Sequence, residues 1–348
     1  MHAQPPLPER IDSEEQLDEV LTRPRPLLVD FVRTLPSPLL ILGAGGKMGP
    51  SLSILVKRAA EVAGHPLEVV AASRFSNDKL LTSMVRSRVK TLTCDLLDAD
   101  ALRRLPDAPN ILYLVGLKFG TAQNPAATWA VNTIVPTRVA ERYPKSPIVA
   151  LSTGNVYPLS EASRGGSLEG DSLTPLGEYA NAAVGRERIF DYHSQRAHTP
   201  IALIRLFYAV ELRYGVLVDI ARKVYKGELI DLANGFFNCV WQGDANEMIV
   251  RALSLASSPP SSWNLCRPEV FSVGAVAARF GELFGRSPRL TGTESAKALL
   301  GNSSALCSRL GTPATSLETM LGWIAGWVER GGRDLGKPTH FEERDGRY

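Results

Sequence analysis

The sequence predicts an α/β fold, a doubly wound parallel sheet followed by a smaller C-terminal lobe. Three observations predict it. From Leu39 onward, short apolar runs alternate with longer amphipathic stretches, the pattern of strand-helix-strand units. A glycine-rich turn, Gly43-Ala44-Gly45-Gly46-Lys47-Met48-Gly49, joins the first apolar run to the first long helical stretch. After Phe207 the alternation loosens into helices with scattered short apolar pieces.

Residues 1–37 read as an N-terminal arm. Pro5, Pro6, Pro8, Pro24, Pro26 and Pro36 surround two helix-like patches there, and Ser13 with Gln16 three residues on forms a capping box that opens EEQLDEVL. A packing role is expected for it. The expected strands are LLILG (39–43), LEVVAAS (67–73), VKTLTC (89–94), NILYLVG (110–116), PIVALST (147–153) and PIALIRLFY (200–208). Helical stretches separate them at 49–63, 78–86, 100–104, 126–143 and 178–195. Residues 38–208 are therefore expected to form one domain, and 209–335, with part of 160–175, the smaller lobe. SLASSPPSS (254–262) reads as a surface loop, and 336–348 as a polar tail that docks on its own chain or on a second subunit. Trp241, Trp263, Trp323 and Trp327 sit in apolar settings and read as packing residues.

Composition narrows the function. The chain has 348 residues, 44% hydrophobic and 22% charged, with 39 Lys and Arg against 36 Asp and Glu, a balance of +3. The basic residues are scattered, which argues against a nucleic-acid footprint. Cys94, Cys239, Cys266 and Cys307 lie far apart, and the five histidines make no ligand-spaced group with them, so reduced thiols and no metal site are expected. No leader pattern opens the chain and no apolar stretch approaches the roughly 20 residues that span a bilayer, so the expectation is no membrane and a cytoplasmic location.

The turn at 43–49 carries the clearest chemistry. A strand-to-helix turn this rich in glycine lets the backbone pass close to a pyrophosphate, whose charge meets N–H groups and the helix N-terminal dipole. A nucleotide-triphosphate loop is excluded because Met48 stands where Ser or Thr is needed after Gly46-Lys47. At the end of the second strand, where an acidic residue would hold ribose hydroxyls, the chain has Ser73-Arg74. A guanidinium there favours a 2′-phosphate, so NADP is the preferred cofactor and NAD the other. An exposed loop arginine is the competing explanation.

These residues carry a resemblance. Gly43-x-x-Gly46-x-x-Gly49, Asp95-Leu96 after the third strand, Asn132, Ser152-Thr153-Gly154-Asn155-Val156-Tyr157 after the fifth, and Tyr179 together resemble the extended short-chain dehydrogenase/reductase family, the NAD(P)-dependent sugar epimerase/dehydratase group. The correspondence spans about 38–330, with Asp244 matching a recurrent Asp of the family's smaller lobe. It implies a Rossmann-type NAD(P)-binding domain, a smaller C-terminal substrate lobe, and a homodimer formed through the helices at 126–143 and 178–195. It further implies cofactor contacts from Gly43, Gly45, Gly46, Lys47, Met48, Gly49, Ser73, Arg74, Asp95, Leu96, Val115, Gly116, Asn132 and Tyr179. Asn155, Tyr208 and Arg213 are expected at a small-molecule substrate. Arg205, at the end of the sixth strand, reads equally as a sugar or phosphate contact and as a structural ion pair.

In the family a Ser or Thr hydroxyl polarises the reacting oxygen, a Tyr moves its proton, and a Lys four residues after the Tyr lowers the Tyr pKa and holds the nicotinamide ribose. Thr153 matches the hydroxyl, with Ser152 as its neighbour and alternative, and Tyr179 matches the Tyr. The Lys position is Ala183. A substitute cation is therefore sought, Lys118 first, then Arg186 and Arg188. The resemblance implies an oxidoreductase or epimerase/dehydratase acting by hydride transfer on a sugar, nucleotide sugar or related hydroxy or keto compound. The loss at Ala183 keeps open a non-catalytic NAD(P)-binding sensor or scaffold of the same fold.

Overall fold

The computed structural model describes residues 6–117, 123–337, 339, 341–344 and 346. Helices α1 (Glu14–Leu21) and α2 (Pro26–Val32) form the arm. Ser13 caps α1, its hydroxyl accepting from the Gln16 amide, while the Gln16 side chain accepts from the Asp12 amide at 2.6 Å.

The sheet begins at β1 (Leu39–Leu42) and continues through β2 (Val69–Ser73), β3 (Lys90–Thr93), β4 (Asn110–Tyr113), β5 (Ile148–Thr153) and the strand Ile201–Leu206, each within an expected run. A seventh strand, Ser261–Leu265, pairs in parallel with Ile201–Leu206 at the sheet edge. It lies in the span 209–335 read as the smaller lobe, and its first two residues in the expected surface loop. Ser-Ser-Trp-Asn-Leu has little apolar contrast, and only Asn264 and Leu265 are buried. An edge strand needs no continuous apolar run, so none marked it.

Strand order is Ser261–Leu265, Ile201–Leu206, β5, β4, β1, β2, β3, and every pairing is parallel. Chain direction across the sheet thus reverses between β1 and β4. An open parallel sheet binds ligands outside the carboxyl ends of its strands at such a reversal.

Side-chain alternation splits the core between the two faces. Leu39, Ile41, Val69, Ala71 and Leu112 pack with α2 and α3 (Gly49–Ala63). Leu40, Leu42, Val70, Ala72 and Tyr113 pack under the other face. There, after α4 (Asp78–Arg86) and α5 (Ala99–Arg103), run the two long neighbours α6 (Pro125–Arg142) and α7 (Gly177–Ala197). Both faces of the sheet are covered, as parallel pairing demands.

A further apolar cluster gathers α8 (Val216–Lys226), α10 (Val273–Phe284) and α12 (Leu317–Glu329), and the arm adds Ile11, Leu17, Val20 and Leu21 to it. Trp241 and Trp323 meet edge to face there, ring centres 5.1 Å apart. α9 (Gln242–Arg251) packs on the sheet face that carries α2 and α3, through Ala245, Met248 and Ile249. Arg25, between α1 and α2, reaches two of its buried carboxylates, Asp244 at 3.2 Å and Glu247 at 2.6 Å. The arm therefore packs on both halves of the molecule. The tail docks on its own chain: Phe341 is buried, Asn234 donates to its carbonyl, and the Thr339 hydroxyl donates to Asp219.

Among the described residues no helix is long and apolar enough to cross a membrane. None of the described His, Cys, Asp and Glu side chains form a group of three or more able to hold a metal ion.

Candidate active site

The glycine turn and the loop after β4 press together at the reversal point. Gly43 has φ +81°, and a Cβ there would stand 3.0 Å from the Leu114 and Val115 backbone. Gly49 opens α3 against the turn itself, where a Cβ would fall 2.3 Å from the Ala44 carbonyl oxygen. These two positions require glycine because backbone occupies the space a side chain would need. The result is a turn tight enough to aim the α3 N-terminus into the crevice, a position suited to a phosphate group.

On one side of this turn lies a cavity lined by Gly43, Gly45, Gly46, Ser73, Arg74, Asp95, Leu96, Val115 and Gly116, with Phe75 and Val131. Ser73 sits directly under Gly45, where a Cβ would come within 2.7 Å of its hydroxyl. Arg74 is exposed at the rim, and Asp95 is turned to its own backbone, accepting from the Leu97 amide at 2.9 Å.

On the other side, two adjoining cavities of about 290 and 170 Å³ share Lys47, Met48, Leu151, Ser152, Tyr179 and Tyr214. The first also touches Gly43, Gly49, Val115, Gly116 and Arg186; the second also touches Thr153, Asn155 and Tyr208. Most of the residues named from the sequence therefore meet along one crevice. Asn132 is wholly buried behind it, its Oδ1 accepting from Arg186 Nη1 at 2.7 Å. Arg213 lies elsewhere, in the groove beside α1, its guanidinium held by Glu211, Glu14 and Asp18. Lys118 is outside the described residues.

The two candidate hydroxyls differ in setting. Ser152 Oγ donates to the buried Glu187 carboxylate at 2.5 Å. Thr153 Oγ1 donates to Asn155 Oδ1 at 2.9 Å and accepts from the Asn155 amide, capping the short helical turn Gly154–Val156. Ser152 is thus tied into the protein interior, and Thr153 lies at the wall shared with Tyr179 and Asn155.

Behind Ser152 stands a buried ion pair. Arg205, beside Ser152 on the adjacent strand, holds Glu187 of α7 through Nε at 3.1 and 3.2 Å and Nη2 at 2.8 Å. Arg205 Nη1 also donates to the Tyr157 hydroxyl at 2.5 Å and to the Glu169 carbonyl at 2.9 Å. Burial works against the charge on Arg205, but Glu187 outweighs it and holds the guanidinium more firmly charged than usual. Burial pushes the Tyr157 phenol up to about 12 despite Arg205 beside it. Of the two readings of Arg205, structural pairing fits this arrangement, which clamps α7 to the sheet.

Tyr179, in the first turn of α7, is 8% exposed and faces both cavities. Ala183 is fully buried, packed with Val156, Tyr157 and Phe207. Arg188 is exposed, half a helical turn out of phase with Tyr179.

Three residues at the crevice carried no sequence signal. Tyr214 closes the wall opposite the turn, with Lys47 Nζ 4.0 Å over its ring and donating to the Ala209 carbonyl at 2.6 Å. Burial, with the Asp219 carboxylate nearby, raises the Tyr214 phenol well above its usual range. Lys337 and Thr339 reach the same cavities from the tail. All three come from segments whose only local pattern is that of loop or lobe.

No protein-family model and no curated protein sequence matches the chain. Solved structures do. UDP-glucuronic acid 4-epimerase of Bacillus cereus, in complex with a fluorinated UDP-glucuronic acid and NAD, aligns with TM-score 0.70 at 17% identity, over 84% of this chain and 99% of its own. UDP-glucose 4-epimerase of Thermotoga maritima, with UDP-glucose, aligns at 0.67 and 14%, again over 84% and 99%. ADP-L-glycero-D-manno-heptose-6-epimerase of Helicobacter pylori aligns at 0.67 and 16%, over 83% and 94%. The chain shares their fold.

Proposed function

We propose that the protein is an NAD(P)-dependent oxidoreductase of the sugar epimerase or dehydratase kind, acting on a sugar, nucleotide sugar or related hydroxy or keto compound. The observation that carries this reading is the single crevice at the β1/β4 reversal. In it a glycine turn at a helix N-terminus, Arg74 and Asp95 lie on one side, and Thr153, Asn155, Tyr179 and Tyr208 on the other. The backbone-filled approach at Gly43 and Gly49 is what a dinucleotide pyrophosphate requires of its cradle. The NAD complex of the B. cereus enzyme of the same fold supports the cofactor class.

In this reading the adenosine half lies along Ser73, Arg74, Asp95 and Leu96, and the nicotinamide half beside Val115, Gly116 and Tyr179. A bound nicotinamide supplies hydride transfer. Thr153 orients the substrate oxygen after exchanging its Asn155 acceptor for it, Asn155 and Tyr208 line the substrate space, and Tyr179 Oη exchanges the proton. Arg74, exposed at the rim with no carboxylate at that strand end, favours the 2′-phosphate of NADP. The exposed Trp129 and Ile134 of α6 and Tyr192 of α7 support pairing of two copies through these helices.

Titration of the purified protein with NADPH and NADH, followed by nucleotide fluorescence, tests the reading. NADPH should bind more tightly, and Arg74→Ala should remove the preference. Tyr179→Phe should abolish turnover and leave dinucleotide affinity nearly unchanged. Binding of neither dinucleotide overturns the proposal.

A further inference from the structure

The Tyr179 helix lacks the family's cation one turn on, yet a buried cation does stand on the same stripe. Positions 179, 183 and 186 are spaced i, i+4 and i+7, so Arg186 lies two turns along from Tyr179 on the face that carries Ala183. Arg186 is 3% exposed and borders the same cavity as Tyr179, Gly43 and Gly49.

Three features hold it there. Nη1 donates to the Val115 carbonyl at 3.0 Å, at the carboxyl end of β4, and to Asn132 Oδ1 at 2.7 Å. Asn132 is held in turn by donating to the Thr128 carbonyl at 2.8 Å. Gly116 makes the room: a Cβ there would stand 2.8 Å from Nη1. A guanidinium has five N–H donors, and two neutral acceptors leave its charge without a partner of opposite sign among the described residues. Nε is buried with no hydrogen-bond partner among the described residues. A buried, orphaned donor on a charged group is costly to retain unless something else completes it.

We infer that Arg186 completes the cofactor site: it binds the nicotinamide-side ribose of the dinucleotide, from two turns along α7, in place of the cation missing at Ala183. The inference rests on the dinucleotide reading above. Asn132 and Val115 act as positioning groups that aim the guanidinium. Arg186 reaches the crevice because its side chain is longer than that of Lys and because Gly116 leaves the path open.

Fragments of the cofactor separate this role from a structural one. ADP occupies the Arg74 side only, whereas ADP-ribose and NADH also place a ribose at Arg186; the 2′-phosphorylated series is used if wild type prefers it. Arg186→Met should weaken ADP-ribose and NADH by about tenfold or more, the effect of losing a hydrogen bond to a charged donor, and leave ADP within about twofold. Equal weakening of all three ligands assigns Arg186 to holding the loop, and no weakening assigns it no part in binding; either result overturns the inference. A wild-type protein that binds ADP tightly and gains nothing from the added ribose overturns it too, without touching the glycine-turn reading. A wild type that binds none of the ligands overturns that reading first.

Discussion

Replacing Arg205 by Met removes the cation that neutralises Glu187 and keeps an apolar chain of similar reach. Arg205 and Glu187 are 5% and 3% exposed, so neither charge can be taken up by water. After the substitution Glu187 keeps only the Ser152 hydroxyl among the partners seen here, the Glu169 carbonyl loses its donor, and the Tyr157 hydroxyl loses Arg205 but still donates to Asn264 Oδ1 at 3.0 Å. Breaking a buried pair from one side costs about 3–5 kcal/mol, because an uncompensated charge is left behind. Replacing both partners with apolar groups should recover most of that, since the pair's attraction and its desolvation nearly cancel. The assay is urea unfolding of Arg205→Met, Glu187→Leu and the double variant, read at the midpoint with the slope checked for constancy. Coupling between the two sites of at least about 2 kcal/mol is expected. A single-variant cost below about 1 kcal/mol, or two single costs that simply add in the double variant, refutes the argument that this pair clamps α7 to the sheet.

Gly49→Ala should lower dinucleotide affinity at least about tenfold and destabilise the protein by about 1–3 kcal/mol, as overpacking does, since its Cβ would meet Ala44 backbone that cannot swing aside. Gly322→Ala in α12, where a Cβ meets nothing within 4 Å, should instead stabilise by about 0.5–1 kcal/mol in the same unfolding assay. Burial holds the Asp219 carboxyl up at about 6 against the Thr339 hydroxyl that donates to it, whereas an unfolded Asp titrates near 3.9. The folded state thus keeps a proton that the unfolded state has lost between those values. Stability from this group is therefore full below pH ~4 and falls as pH rises towards ~6, by up to about 3 kcal/mol. Asp219→Asn should flatten that slope in unfolding midpoints measured from pH 4 to 8, and an unchanged slope removes Asp219 from the explanation. Arg25→Ala removes the cation shared by Asp244 and Glu247, leaving Glu247 with Arg251 at 3.4 Å and Asp244 with the Thr315 amide at 2.7 Å, and should cost about 1.5–3 kcal/mol by thermal or urea unfolding, the value of hydrogen bonds to charged groups.

Local pattern was enough for much of this molecule. Six parallel strands announced themselves because strands covered on both faces must be apolar runs, and the helices between them because their covered side repeats at helical spacing. The turn at 43–49 was legible for the same kind of reason: close backbone approach at Gly43 and Gly49 admits no side chain, so the constraint is written in residue type.

Tertiary structure decided what depends on partners distant in sequence. The edge strand Ser261–Leu265 exists because Ile201–Leu206 offers it an unpaired edge, and its own residues are too polar to announce it. Arg205 sits in the apolar run IALIRLFY and Arg186 in the mixed segment VGRER, and neither setting shows what its charge meets. Glu187 takes up the charge of one, while among the described residues the other meets the neutral oxygens of Asn132 and Val115. Arg213 was expected at the substrate, but three carboxylates, two of them from α1, draw it to the arm. Tyr214 and the tail residues Lys337 and Thr339 reach the crevice only because the chain folds back across it. Apolar burial is additive and local enough to be read along a chain. The use of a charge depends on which opposite charge folding brings within a few ångströms, and that is a property of the whole fold.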